Sequence, residues 1–109
     1  MLATREAAKR AYSDWKTELV TDRGANGFLR VRRPDSPCAQ VDSTVSEGIA
    51  YGMILAVVHD DQSLFDDLWK YSQRWVNENG LMHWYIDAEG SKPLGEGGGT
   101  VAYEYQALP

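Results

Sequence analysis

The feature that most constrains this chain is a segment that would be apolar around its whole circumference if wound as a helix: Ile49, Ala50, Tyr51, Met53, Ile54, Leu55, Ala56, Val57 and Val58 leave no polar stripe. Such a helix is buried on all sides, so it needs partners on more than one flank. The apolar run 49–58 is about half of the roughly 20 residues a bilayer span requires, so the cover is expected to be protein and not lipid. The helix is expected to begin near Thr44 and to end near His59. It contains Gly48 and Gly52, one turn apart, and each costs about 1 kcal/mol of helix propensity. Close approach of another helix or of a ligand to the backbone is the usual reason for accepting that cost.

Flanking segments can supply part of the cover. Upstream, Ala8, Ala11, Tyr12, Trp15 and Leu19 recur at three- and four-residue intervals, which predicts an amphipathic helix over 5–20. Downstream, Leu64, Phe65, Leu68, Trp69, Ser72, Trp75 and Val76 form a second stripe. Ser63 is its expected N-cap, Asp66 and Asp67 lie in its first turn, and Asn79-Gly80 is its stop. The apolar helix and this one read as an αα-hairpin. Residues 21–42 are punctuated by Gly24, Gly27, Pro34 and Pro37, so they are expected to be mostly loop with one short strand over 28–31. Met82, Trp84 and Ile86 alternate with His83, Tyr85 and Asp87 before the turn Ala88-Glu89-Gly90, which predicts a short strand or hairpin. A glycine-rich stretch, 95–99, then leads into 100–108, which can start a fourth helix. The expected fold is mainly α with a short β-hairpin, forming one domain or a piece of one. At 109 residues a chain buries about two-thirds of its unfolded surface.

Charge narrows the partners. A net charge of −5, with one short basic cluster at Arg30, Arg32 and Arg33, argues against nucleic acid and fits a neutral polymer such as a polysaccharide. The single cysteine, Cys38, excludes an internal disulfide and lies outside any Cys/His ligand pattern, so neither a metal nor another cofactor is expected. Residues 1–12 lack the apolar core of a secretory signal, so an export signal is expected to have been removed or not encoded. Four Trp and six Tyr stand against two Phe, a balance that favours rings with a polar end. Such rings serve sugar sites and ordinary packing alike.

Chemistry concentrates at 42–53. Glu47 stands at the mouth of the apolar helix, with Tyr51 one turn on over the same face and Gly48 and Gly52 beside them. An acid next to backbone that a ligand can approach is placed to act on that ligand. By local pattern alone Thr44-Val45-Ser46-Glu47 is also a capping box, with the glutamate bonded back to the N-cap amide. A helix N-terminus favours the ionised carboxylate, whereas proton donation needs the protonated form, so a catalytic Glu47 has to be well desolvated.

The run Thr44-Val45-Ser46-Glu47-Gly48-Ile49-Ala50-Tyr51-Gly52-Met53-Ile54-Leu55-Ala56-Val57 resembles the signature of glycoside hydrolase family 8, in which Ser-Glu-Gly-x-x-Tyr-Gly-Met opens an inner helix of an (α/α)6 barrel. Leu64-Phe65-Asp66-Asp67-Leu68-Trp69 and Gly80-Leu81-Met82-His83-Trp84-Tyr85-Ile86-Asp87 resemble the family in order and spacing, so the similarity covers about residues 7–108. It implies the N-terminal part of a bacterial catalytic domain over 1–109, folded as the first three to four helices of an α/α barrel. It also implies inverting hydrolysis of β-1,4-glucosidic bonds by a secreted cellulase, without cofactor or metal. Glu47 is then the general acid, and Trp84 stacks on a glucosyl ring in a minus subsite. The alternatives are a non-catalytic glucan-binding module with Trp84, Tyr51 and Tyr85 as its ring-stacking surface, and an inactive truncated relic.

The similarity breaks at the end of the chain. Where the family pattern runs roughly Gly-Gly-Ala-Thr-Asp-Ala-Asp-Glu-Asp, this chain has Gly97-Gly98-Gly99-Thr100-Val101-Ala102-Tyr103-Glu104-Tyr105, without the three aspartates. The first of them, at Val101, helps in the family to hold the distorted sugar. The aspartate that activates water belongs to a part of the family domain beyond this chain. Inversion needs a second carboxyl about 6.5–9.5 Å from the acid. The nearby carboxylates Asp42, Asp87, Glu96 and Glu104 are expected to be surface charges or turn residues. A partial barrel leaves the apolar helix wet, and at about 25 cal/mol per Å² several hundred exposed Å² favour association by multiple kcal/mol. A homo-oligomer through the exposed helix faces is therefore expected.

Overall fold

The computed structural model describes residues 2–34 and 41–93. In chain order these form α1 (Leu2–Leu19), β1 (Val20–Thr21), β2 (Arg30–Val31), β3 (Thr44–Val45), α2 (Ser46–Val58), α3 (Gln62–Arg74) and β4 (Tyr85–Ile86). The three helices are the three the periodicity predicts, except that the third ends at Arg74, with Trp75 and not Asn79-Gly80 closing it, and Asp66 and Asp67 lie beyond its first turn. The expected fourth helix, and Cys38, lie outside the described residues.

The core lies where α2, α3 and the strands meet. Ile49 and Ala56 of α2, Leu64, Leu68 and Tyr71 of α3, Val31, Met82 and Ile86 form one buried cluster, with Tyr12, Trp15 and Leu19 of α1 packed against it. Gly52 makes the α2–α3 contact close: a Cβ there would sit 2.9 Å from Leu68 Cδ1 and 3.1 Å from Val31 Cγ2. Gly48 differs, since a Cβ there would make ordinary contacts of 3.7 Å and 3.8 Å with Val45 and Val31. One glycine of the pair thus answers to packing, and the other does not.

α2 departs from its expected burial. Ile49, Gly52 and Ala56 are buried, but Tyr51, Ile54, Val57 and Val58 are 58–69 % exposed. The physical reason is that α3, β2 and β3 all pack onto α2 and leave its other flank without cover among the described residues.

The start of α2 also differs from expectation. Thr44 and Val45 belong to β3, which pairs antiparallel with β4 in the register Thr44↔Ile86 and Val45↔Tyr85. The capping box does not form: Val45 is the N-cap and makes no side-chain cap bond. The Thr44 hydroxyl instead donates to Val31 O at 2.8 Å and accepts from Arg30 Nη1 at 2.8 Å. The strand expected over 82–87 therefore finds its partner far away in sequence, and locally its turn closes with a single Ile86↔Pro93 bridge. The other strand pair is a hairpin of β1 with β2, joined as Val20↔Val31 and Thr21↔Arg30.

Arg30 ties these loops together. Fully buried, it donates to the carbonyls of Arg23 (2.6 Å), Asp42 (2.6 Å) and Ala88 (3.1 Å) as well as to Thr44. Burial lowers its pKa from the ordinary guanidinium value. Saturation with carbonyl acceptors is what lets this charge stay inside. Beside it the turns at Gly24 and Gly90 interlock; both have φ of +67° and leave no room for a Cβ.

The α2–α3 connection corrects the expected cap of the third helix. Asp60 takes a left-handed φ of 55°, which Asp tolerates, and this reversal delivers Asp61, not Ser63, to the N-cap, where its side chain accepts from Leu64 N at 3.2 Å. The same carboxylate anchors α1, accepting from Tyr12 Oη at 2.8 Å and Lys16 Nζ at 2.7 Å. Tyr12 also stacks on His59, with ring centroids 4.1 Å apart.

Candidate active-site cleft

The β3–β4 ladder does more than close the core. One residue beyond it on each strand, Ser46 N donates to Trp84 O at 3.0 Å, so the first turn of α2 and the Trp84 segment are stitched edge to edge. Between them opens a cleft of about 390 Å³. Glu47, Gly48 and Tyr51 line it from α2, Val45 and Ser46 from the strand-to-helix junction, Trp84 from the residue before β4, and Arg33 from the segment after β2.

Three of the four residues expected at a sugar site, Glu47, Tyr51 and Trp84, are thus brought together. Tyr85 is not among the lining residues. It stands behind Trp84, stacked on it with centroids 4.9 Å apart and planes 29° apart. Glu47 is exposed, so the desolvation that proton donation demands is not supplied by the described residues. The Trp84 indole nitrogen is buried and has no hydrogen-bond partner among them.

Arg33 is the lining residue that sequence reasoning missed, because three arginines in four positions read as one charge cluster. The structure separates them. Arg30 turns inward, Arg32 donates to Asp42 at 2.6 Å and to Glu18 O at 2.9 Å, and Arg33 faces the cleft. No local pattern separates them, because Arg32 and Arg33 lie beyond β2 and the Arg33↔Ser43 bridge that fixes the segment is a long-range contact.

Of the other candidate carboxylates, Asp42 and Asp87 are committed elsewhere. Asp42, at a φ of 65°, is held by Arg32 at 2.6 Å and Arg23 at 3.5 Å. Asp87 caps the next turn, accepting from the amides of Ser91 (2.8 Å) and Lys92 (3.2 Å) and from the Ser91 hydroxyl. Burial alone would raise its pKa, but these bonds outweigh burial and the net shift is downward. Glu47 is the one carboxylate lining the cleft among the described residues; Glu96, Val101 and Glu104 lie outside them. No group of three or more His, Cys, Asp or Glu side chains is placed to hold a metal among the described residues. None of the described helices is long and apolar enough to cross a membrane.

The family model for glycosyl hydrolases family 8 matches residues 1–102. The chain belongs to this family. It is 46 % identical over 94 residues to endoglucanase A of Acetivibrio thermocellus, a match covering 86 % of this chain and 19 % of that protein. With endoglucanase 2 of Ruminiclostridium josui it is 48 % identical over 83 residues, covering 76 % and 17 %. The chain therefore spans less than a fifth of these curated relatives. Among solved structures, endoglucanase Cel10 of Klebsiella pneumoniae, a family 8 glycosyl hydrolase, superposes with a TM-score of 0.63 at 22 % identity over 80 % of this chain and 26 % of that one. A family 8 endo-β-1,4-glucanase from an Achatina fulica gut metagenomic library gives 0.62 at 24 % identity, over 79 % and 25 %. The fold is a partial α/α barrel with short antiparallel strand pairs.

Proposed function

We propose that the cleft is part of a β-1,4-glucan hydrolase site in which Glu47 donates the proton and Trp84 and Tyr51 present rings to the sugar. One observation carries this reading: a carboxylate and an indole from distant parts of the chain share a cleft because Ser46 N is bonded to Trp84 O. In the reaction the Glu47 carboxyl protonates the glycosidic oxygen as the C–O bond breaks. Water adds from the opposite face of the sugar, and a second carboxylate takes its proton. That second group comes from beyond the described residues. Bound substrate would also bring the desolvation that exposed Glu47 lacks. Tyr85 supports the platform from behind Trp84.

The family and the endoglucanase relatives support this substrate class, and a secreted enzyme is the location that fits it. The exposed apolar face of α2 supports association of the chain with itself. A second reading, a glucan-binding module without catalysis, has one observation in its favour: a single carboxylate lines the cleft among the described residues.

Reducing-sugar release from carboxymethylcellulose and cello-oligosaccharides separates the two. Glu47→Gln is expected to lower release by about a hundred- to ten-thousand-fold while cello-oligosaccharide affinity stays within a few fold. No release by the unmodified chain, with binding retained, moves the binding-module reading to the front.

A further inference from the structure

Arg33 is unlike the arginines beside it. Arg30 and Arg32 are committed to carbonyls and to Asp42, whereas Arg33 makes no salt bridge among the described residues; its side-chain contact is with the Tyr85 ring, 5.6 Å from guanidinium carbon to ring centroid. Its main chain is fixed on both sides: Arg33 N donates to Ser43 O and Asp42 N donates to Arg33 O, each at 2.9 Å. Tyr85 in turn stacks on Trp84. One ring therefore positions the cation and the indole, and both line the same cleft.

A guanidinium resting on an aromatic face keeps its N–H donors at the rim, in a planar fork that spans two adjacent acceptors. Neighbouring ring hydroxyls of a pyranose are such a pair. We propose that Arg33 is a specificity-determining, substrate-binding residue: its fork donates to vicinal hydroxyls of the sugar held at Trp84, and its charge selects a neutral, hydroxylated ring over one that carries an ammonium group. The inference deepens the glucan-site reading and rests on it.

The test is calorimetric binding to the full chain carrying Glu47→Gln, which stops turnover, with cellotetraose and its 2-amino analogue, tetraglucosamine, below pH about 6, where the amines are protonated. Arg33→Gln is expected to weaken cellotetraose binding by about tenfold or more and to strengthen tetraglucosamine binding. Arg33→Lys, which keeps the charge and loses the fork, is expected to weaken cellotetraose binding less than Arg33→Gln and to leave tetraglucosamine binding weak. Opposite signs for the two sugars are a result that a merely structural role does not produce. Equal losses for both, or a cellotetraose affinity within twofold of the parent while Trp84→Ala abolishes binding, overturn the inference and leave the glucan site standing. If the parent binds neither sugar, the glucan-site reading falls and the inference falls with it. Should Arg33→Gln fail to fold, Arg33→Lys carries the test: unchanged cellotetraose affinity then overturns the proposal.

Discussion

Asp61 shows how much one side chain does here. It caps α3, anchors Tyr12 and Lys16 of α1, and so joins the first helix to the other two. The Lys16 bond holds its pKa below the ordinary carboxylate value, with the Tyr12 and Leu64 bonds acting in the same direction and burial against them. A carboxylate whose folded pKa is depressed contributes stability that is present above its unfolded pKa, about 3.9, and lost as pH falls through the folded value. Asp61→Asn keeps a capping oxygen and removes the charge. With Lys16 and Asp61 side chains 38 % and 18 % exposed, it is expected to cost about 1 kcal/mol at neutral pH and less at acid pH, where the carboxylate is progressively protonated. Urea unfolding of both proteins at neutral and acid pH checks this; an equal cost at both means the charge is not what anchors α1. None of these contacts was legible beforehand, because Ser63 has the better local capping pattern and the reversal at Asp60 decides between them.

Among the elements, the helices were legible and the strand pairing was not. Apolar recurrence along α1 and α3 is a local property of the chain. The β3–β4 ladder is not, since nothing at Thr44 announces Ile86 as its partner. That pairing takes Thr44 out of the capping box and gives its hydroxyl to Val31 O. The two glycines of α2 offer a test. Gly52→Ala drives a methyl into Leu68 and Val31, and overpacking of about 1–3 kcal/mol outweighs a propensity gain of about 1 kcal/mol. Gly48→Ala meets ordinary contacts and is expected to be neutral or to stabilise by up to about 1 kcal/mol. Thermal unfolding of the two variants reads the difference; equal destabilisation contradicts the assignment of Gly52 alone to close packing.

The whole molecule presents Tyr51, Ile54, Val57 and Val58 of α2, and Trp69 of α3, at 51–69 % exposure. An apolar face of this kind favours association. Sedimentation at micromolar concentration is expected to give a species larger than the 12.2 kDa chain, and Ile54→Glu with Val57→Glu is expected to dissociate it; a compact monomer of the unmodified chain contradicts this. Helical spacing alone puts Tyr51 over the same face as Glu47, whereas Trp84 came to them only through the family signature, because its proximity depends on the β3–β4 pairing. Arg33 was invisible because it read as one of three clustered arginines. Whether acid and indole work as one site is tested most directly by following backbone and indole N–H signals in a cellotetraose titration. The account predicts that the amides of Glu47 and Gly48 and the Trp84 indole shift together with a single dissociation constant, while the Tyr12–Lys16–Asp61 junction stays unmoved. Shifts at Trp84 without Glu47, or shifts confined to the junction, would contradict it.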